Sequence, residues 1–206
     1  MTSTQFSGIA ASLPVPDIDT DTIIPIDYCI NRDRPNFDVA LFRSWRFYDD
    51  GSERPEFFLN RDPFRQTKVL VTGANFGCGS SREMAVWALV DFGIRCVIAP
   101  SFGEIFYNNC FQNNLLAARV SPETAVALSN TVDQATGLIL NIDLIEKTIQ
   151  AEGAVTFHFE LDSLRSEMLG QGLDPVAATL NRVADINAFE HRDRIGRPWA
   201  HFVSTV

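Results

Sequence analysis

An α/β domain built on a mixed sheet is the fold this sequence predicts, and three observations predict it. Short apolar runs alternate with helical patterns from Lys68 to Val120, at the spacing of βαβ units with parallel pairing and right-handed crossovers. A glycine-rich segment, Gly73-Ala-Asn-Phe-Gly-Cys-Gly-Ser-Ser-Arg-Glu83, joins the first of those runs to the first helical pattern. After Asn130 the pattern changes to short strand-like runs joined by turns, which makes the sheet mixed.

The elements follow in order. Phe6–Leu13 reads as a strand, and Pro14 and Pro16 end it. Asp17, Asp19 and Asp21 precede Ile23-Ile24-Pro25; the Gly and closing Glu of a calcium loop are missing, so that reading fails. Residues 26–63 are rich in Arg, Asp and Pro and show little periodicity. Their aromatic residues, Phe37, Phe42, Trp45, Phe57 and Phe58 among them, supply the burial that ordering requires, so the segment reads as a functional loop and not as disorder. Val69–Thr72 reads as a strand, Ser81–Phe92 as a helix ending at Gly93, and Arg95–Ala99 as a buried strand. Phe102–Phe111 is a second helix and Leu115–Val120 a third strand of this central block. Ser121-Pro122 opens another helix with Pro at its start. Gly137–Asp143, Leu144–Gln150 and Val155–Phe159 read as short strands, with turns at 141–143 and 152–153. Leu161–Leu169 and Asp174–Phe189 read as helices. Residues 1–206 are expected to form one domain, with 174–206 as a helical extension.

Composition narrows the function. The 206-residue chain is 46% hydrophobic and 21% charged, with a net charge of −9. That charge argues against nucleic acid or an anionic membrane as a main partner. No apolar run reaches the ~18–20 residues of a membrane span. Met1-Thr-Ser-Thr-Gln5 has neither a basic nor an apolar leader region, so the chain is expected to be cytoplasmic. Cys29, Cys78, Cys96 and Cys110 form no Cys-x-x-Cys pair and match neither zinc nor iron–sulfur spacing, so no metal or cofactor is expected on this chain. Cys78 is a weak candidate nucleophile. No histidine is near it in sequence, the three being His158, His191 and His201.

The glycine-rich segment carries the chemistry. Strand, glycine turn and helix start together make an anion site: glycines admit close backbone approach, and the helix start offers free N–H groups and a positive dipole end. Ser80 and Ser81 add hydroxyls, and Arg82 adds a planar fork suited to a carboxylate. The simpler alternative is a tight turn whose Ser80 or Ser81 caps the helix, with Glu83 in the first turn. The segment is not a P-loop, since no Gly-Lys-Ser/Thr follows, nor a Gly-x-Ser-x-Gly elbow. Carboxylate is the ligand that matches best.

On these residues the chain resembles the small subunits of 3-isopropylmalate dehydratase, relatives of the mobile C-terminal domain of aconitase. The matching segments are Asp19-Thr-Asp-Thr-Ile-Ile-Pro25, Leu41-Phe-Arg-Ser-Trp-Arg-Phe-Tyr48, Asn75-Phe-Gly-Cys-Gly-Ser-Ser-Arg-Glu83, Val97-Ile-Ala-Pro-Ser-Phe102, Ile105-Phe-Tyr107 and Gly172-Leu-Asp174, in the family's order. The resemblance implies a swivelling β/β/α domain that closes over a separate large subunit carrying a [4Fe–4S] cluster, and a chain inactive by itself. It implies reversible elimination and addition of water on a malate-type dicarboxylate. The serine matching Ser80 would take the proton from the carbon beside a carboxylate, while Gly79, Ser81 and Arg82 would hold that carboxylate.

Departures from the pattern bear on the substrate. Met84 stands where the family usually has His, and Ile26 where it usually has a basic residue. Arg34 falls where the family often has an arginine; it either binds a carboxylate or is a solvated loop charge. The apolar character of Ile26, Tyr28 and Ile30 ranks isopropylmalate first, other alkyl- or methylmalates second and citrate last. A paralogous hydro-lyase subunit, or a carboxylate-binding module without activity, remains the alternative.

Overall fold

The computed structural model describes residues 4–30, 36–80, 82–151, 155–173 and 175–201. Contacts divide the chain into two compact units, Met1–Gly172 and Leu173–Val206.

The first unit is organised around a seven-stranded sheet in the order β4-β3-β2-β1-β5-β6-β7. Its strands are β1 (Gln5–Leu13), β2 (Thr67–Thr72), β3 (Cys96–Ala99), β4 (Leu116–Arg119), β5 (Ile139–Asp143), β6 (Thr148–Ala151) and β7 (Thr156–His158). Strands β1 to β4 run parallel, with Leu13 opposite Thr72, Leu70 opposite Val97 and Val97 opposite Ala117. β1 also pairs antiparallel with β5, from Gln5 opposite Asp143 to Ile9 opposite Ile139, and β5–β6–β7 continue antiparallel. The two halves differ as their burial requires. β2 and β3 are almost wholly buried, as parallel strands covered on both faces must be, whereas β5 alternates buried Leu140 and Ile142 with exposed Ile139 and Asn141.

The helices of this unit are α1 (Thr20–Ile23), α2 (Arg43–Arg46), α3 (Glu83–Phe92), α4 (Glu104–Gln112), α5 (Pro122–Gln134) and α6 (Ser163–Gln171). α5 packs across β1, β2 and β3, while α4 packs on β4 and against α3 and α6. Ser121 caps α5 by accepting from the Thr124 N–H, and Pro122 takes the first helical position, where its missing N–H costs nothing.

The aromatic segment before β2 is ordered in its described part by the burial that its composition predicts. Phe37, Leu41, Phe42 and Leu59 are buried, and Phe42 stacks on Trp45 at 5.7 Å. Arg46, buried among them, donates from Nε to Asn60 Oδ1 (3.0 Å) and from Nη1 to the Asp38 carbonyl (2.9 Å). Those bonds satisfy a charge that burial would otherwise penalise.

Three expectations are corrected. The turn placed at 141–143 is strand, because Asn141 is the exposed member of an alternating run. The chain reverses instead over Leu144–Lys147, where Asp143 Oδ1 accepts from the N–H groups of Ile145 (2.8 Å) and Glu146 (2.9 Å). α3 begins at Glu83 and not Ser81, because Arg82 is extended at the N-cap position. The helix expected over 174–189 is two, α7 (Pro175–Leu180) and α8 (Val183–Gly196), broken at Asn181-Arg182, with α8 continuing past Phe189. These two helices lie in the second unit, which closes with a turn over Pro198–Ala200. There Asp193 accepts from Arg197 Nε (2.6 Å) and pairs with His201 (2.7 Å). No helix among the described residues is long and apolar enough to cross a membrane.

Candidate active site

Parallel strands leave their connecting loops at one edge of the sheet, outside the carboxyl ends, and that edge is where α/β domains gather ligand groups. Here the loops after β1, β2 and β3 meet. The glycine-rich segment after β2 lies between the other two like a short extra strand. Gly77 N–H donates to the Ile18 carbonyl (2.7 Å) and Thr20 N–H to the Cys78 carbonyl (3.0 Å). On its other side, Phe76 N–H donates to the Ser101 carbonyl (3.1 Å) and Gly103 N–H to the Phe76 carbonyl (2.9 Å). Asn75, at φ 58°, donates from Nδ2 to Asp17 Oδ1 (2.7 Å).

Two residues fix the shape of this segment. Phe76 is fully buried and meets the Phe106 ring edge-on at 5.4 Å, anchoring the loop in the core. Gly77, at φ 73°, has no room for a side chain: a Cβ there would stand 2.2 Å from the Phe106 ring. Gly77→Ala is therefore expected to lower the thermal midpoint by several degrees, since overpacking costs roughly 1–3 kcal/mol before backbone strain is added. Calorimetry of the variant checks this; an unchanged midpoint would show that the loop shifts freely.

Gly79 and Ser80 are exposed at the tip of the loop, and Gly79 holds a φ of 87°. Arg82 is half-buried, and its guanidinium pairs with the more exposed Asp21 carboxylate of α1. Asp19, two residues earlier, caps α1 by accepting from Thr22 N–H (2.7 Å). Hydrogen bonds from the Thr22 hydroxyl and then its N–H, assisted by the Arg82 charge, hold the Asp19 carboxyl below its ordinary value. The loop after β1 thus delivers one carboxylate to a structural cap and a second to the arginine. Asp21 is the partner of Arg82 that the sequence reading missed. The Asp-x-Asp spacing at the head of a one-turn helix was its only signal.

Of the five residues expected at the site, Gly79, Ser80 and Arg82 stand on this loop; Ser81 and Arg34 lie outside the described residues. Met84, in place of the family's usual His, packs against the apolar core, so a side chain at this position contributes to packing. Ile26 and Ile30 are exposed, and Tyr28 is half-buried with the Arg43 guanidinium 5.8 Å from its ring centroid. Cys78 is a poor nucleophile: burial, and then the Asp19 and Asp17 carboxylates, push its thiol up. Hollows of about 420 Å3, on the β1–β5–β6 face, and about 540 Å3, at the end of β4, have no lining residue from the glycine-rich segment.

The family model of the aconitase C-terminal domain matches residues 2–123. The 3-isopropylmalate dehydratase small subunit of Mesorhizobium japonicum is 44% identical over 197 residues, covering 96% of this chain and 98% of that protein. The Brucella canis protein of the same name is 45% identical over the same shares. The chain belongs to the family of 3-isopropylmalate dehydratase small subunits. The crystal structure of 3-isopropylmalate dehydratase from Methanocaldococcus jannaschii, 30% identical, matches 90% of this chain and 99% of its own with a TM-score of 0.61. Family membership makes this chain a component of an enzyme, and the aconitase C-terminal-domain fold expected from the sequence is the fold it has.

Proposed function

We propose that this chain is the small subunit of a 3-isopropylmalate dehydratase. In this reading it interconverts 2- and 3-isopropylmalate in leucine biosynthesis, and it works in the cytoplasm with a separate large subunit. The observation that carries the reading is the glycine-rich loop, clamped on both sides, with Ser80 exposed at its tip and Arg82 beside α1. A [4Fe–4S] cluster belongs to the large subunit in this reading, because the residues here do not suit one. Cys96 and Cys110 are buried with their thiols pushed up, and among the described residues no group of His, Cys, Asp and Glu could hold a metal.

Each residue then has a defined task. Arg82, assisted by Ser81 and the Gly79 backbone, holds a substrate carboxylate. Asp21 keeps the guanidinium oriented and yields it to the incoming carboxylate. Ser80, as an alkoxide, takes the proton from the carbon beside that carboxylate. The electron pair left behind forms the C=C bond as the hydroxyl departs from the neighbouring carbon, a departure that the large subunit's cluster would assist as a Lewis acid, and the reverse sequence adds water on the other carbon. A serine alkoxide needs positive surroundings, which the Arg82 charge and the positive end of the α3 dipole supply. The exposed apolar side chains of Ile26 and Ile30 suit an isopropyl group and leave a third carboxylate unpaired. Arg34 is placed with the substrate-binding group on the same reading.

The test is an anaerobic assay of the purified chain with and without the large subunit. Expected are no turnover by the chain alone, and in the complex a higher kcat/KM for isopropylmalate than for citrate. Robust turnover by the chain alone would overturn the two-subunit reading, and a preference for citrate would overturn the substrate.

A further inference from the structure

At the carboxyl end of β4, Arg119 lines a hollow of about 540 Å3 together with Tyr107 of α4, Lys147 of the β5–β6 turn and Arg165 of α6. Phe159 and Leu161, 4% and 6% exposed, supply its apolar wall. Two carboxylates also line it, and one of them is already used. Asp162 caps α6 by accepting from Arg165 N–H (2.9 Å) and pairs with Arg165 Nε (3.1 Å). Arg165 is completed by Asn108 Oδ1 at 2.8 Å. What remains is Arg119 and Lys147 against Glu160, a local excess of one positive charge in a chain of net charge −9.

Arg119 is held but not satisfied. Its guanidinium carbon lies 4.8 Å from the Tyr107 ring centroid, and the Arg165 guanidinium carbon lies 4.7 Å from the same ring. Its Nε is buried and hydrogen-bonds to nothing among the described residues. An orphaned donor on a charged group is costly, and an acceptor drawn to the edge of the guanidinium relieves that cost.

We propose that this hollow is a binding site for a small organic monoanion, a carboxylate on a short apolar body. The carboxylate takes the Arg119 fork, with Lys147 as a second cation. The apolar body lies against Phe159 and Leu161. A single negative charge balances the excess; a phosphate dianion would set its second charge against Glu160.

The experiment follows the arginine Nε–H signals of the full chain during titration with isovalerate, and with isovaleramide as the uncharged match. A saturable shift of the Arg119 signal with isovalerate, absent with the amide, is expected. Lys147→Asn removes a charge at a position whose φ of 54° asparagine accepts readily, so it tests the site even where Arg119→Gln disturbs packing on Tyr107. Each variant is expected to raise the isovalerate Kd at least tenfold, the variant lacking Arg119 being read by the Tyr107 ring protons. Arg82→Gln is expected to leave the Arg119 response intact, which separates this site from carboxylate binding at the glycine-rich loop. No saturable response in the wild type, or unchanged affinity in Lys147→Asn, would overturn the proposal. So would variants that weaken assembly with the large subunit while isovalerate gives no shift, since the hollow would then receive a partner side chain.

Discussion

Ser80→Ala, assembled with the large subunit, is expected to lose at least ~10²-fold in turnover, the lower end of what a positioned proton-transfer group contributes. The argument rests on position. Ser80 is exposed at the tip of a loop whose body is clamped at Asn75, Phe76, Gly77 and Cys78, so removing its hydroxyl leaves the clamp untouched. Circular dichroism and a thermal midpoint matching the wild type are therefore expected alongside the kinetic loss. The measurement is kcat of the reconstituted complex with isopropylmalate. Turnover within a few-fold of wild type would assign the proton to another group.

Arg82→Lys is expected to weaken substrate binding about 10–150-fold, the equivalent of one charge-assisted hydrogen bond at roughly 1.5–3 kcal/mol. Lysine keeps the charge and loses the fork, so the variant tests bidentate geometry more than electrostatics. The opposing possibility is a merely structural ion pair with Asp21. That carboxylate is half exposed, and such pairs contribute under ~1 kcal/mol. Substrate affinity within threefold of wild type would support the structural role. Asp21→Asn sharpens the result: if Asp21 only holds the guanidinium until substrate arrives, its loss changes affinity less than Arg82→Lys does.

The parallel half of the sheet was legible because β2, β3 and β4 are short runs with apolar centres separated by helical patterns, and because Gly73 to Gly79 marks the connection that lies at the carboxyl edge. The antiparallel half was legible in kind but not in its turn. Asn141 and Asp143 both look like turn residues in sequence; only pairing with β1 and β6 shows that the first is an exposed strand position and the second the start of the reversal. The helix start slipped for a similar reason. Serines advertise a cap, whereas here the extended residue ahead of the helix is Arg82, whose side chain is engaged with α1. That engagement is a tertiary ion pair between distant segments, and no local periodicity encodes it. Gly79, Ser80 and Arg82 could be singled out as candidates because they stand in one run; the Asp21–Arg82 pair could not, because it depends on a neighbour supplied by the fold.

The placement of β1 has a consequence for how the chain is made. It is the first of the seven strands in the chain and the middle strand of the finished sheet. Its parallel neighbour begins at Thr67, and on its other side Ile9 awaits Ile139, 130 positions later. At synthesis rates of roughly 5–20 residues per second, that partner arrives on the order of 7–26 s after Ile9. Through that interval the edge of β1 that will meet β5 stays open, and until β2 is made so does the other, the condition that invites pairing with other chains. Nascent-chain protection early in translation, and a tendency to aggregate when the N-terminal half is expressed by itself, follow from a sheet whose central strand is made before either of its neighbours.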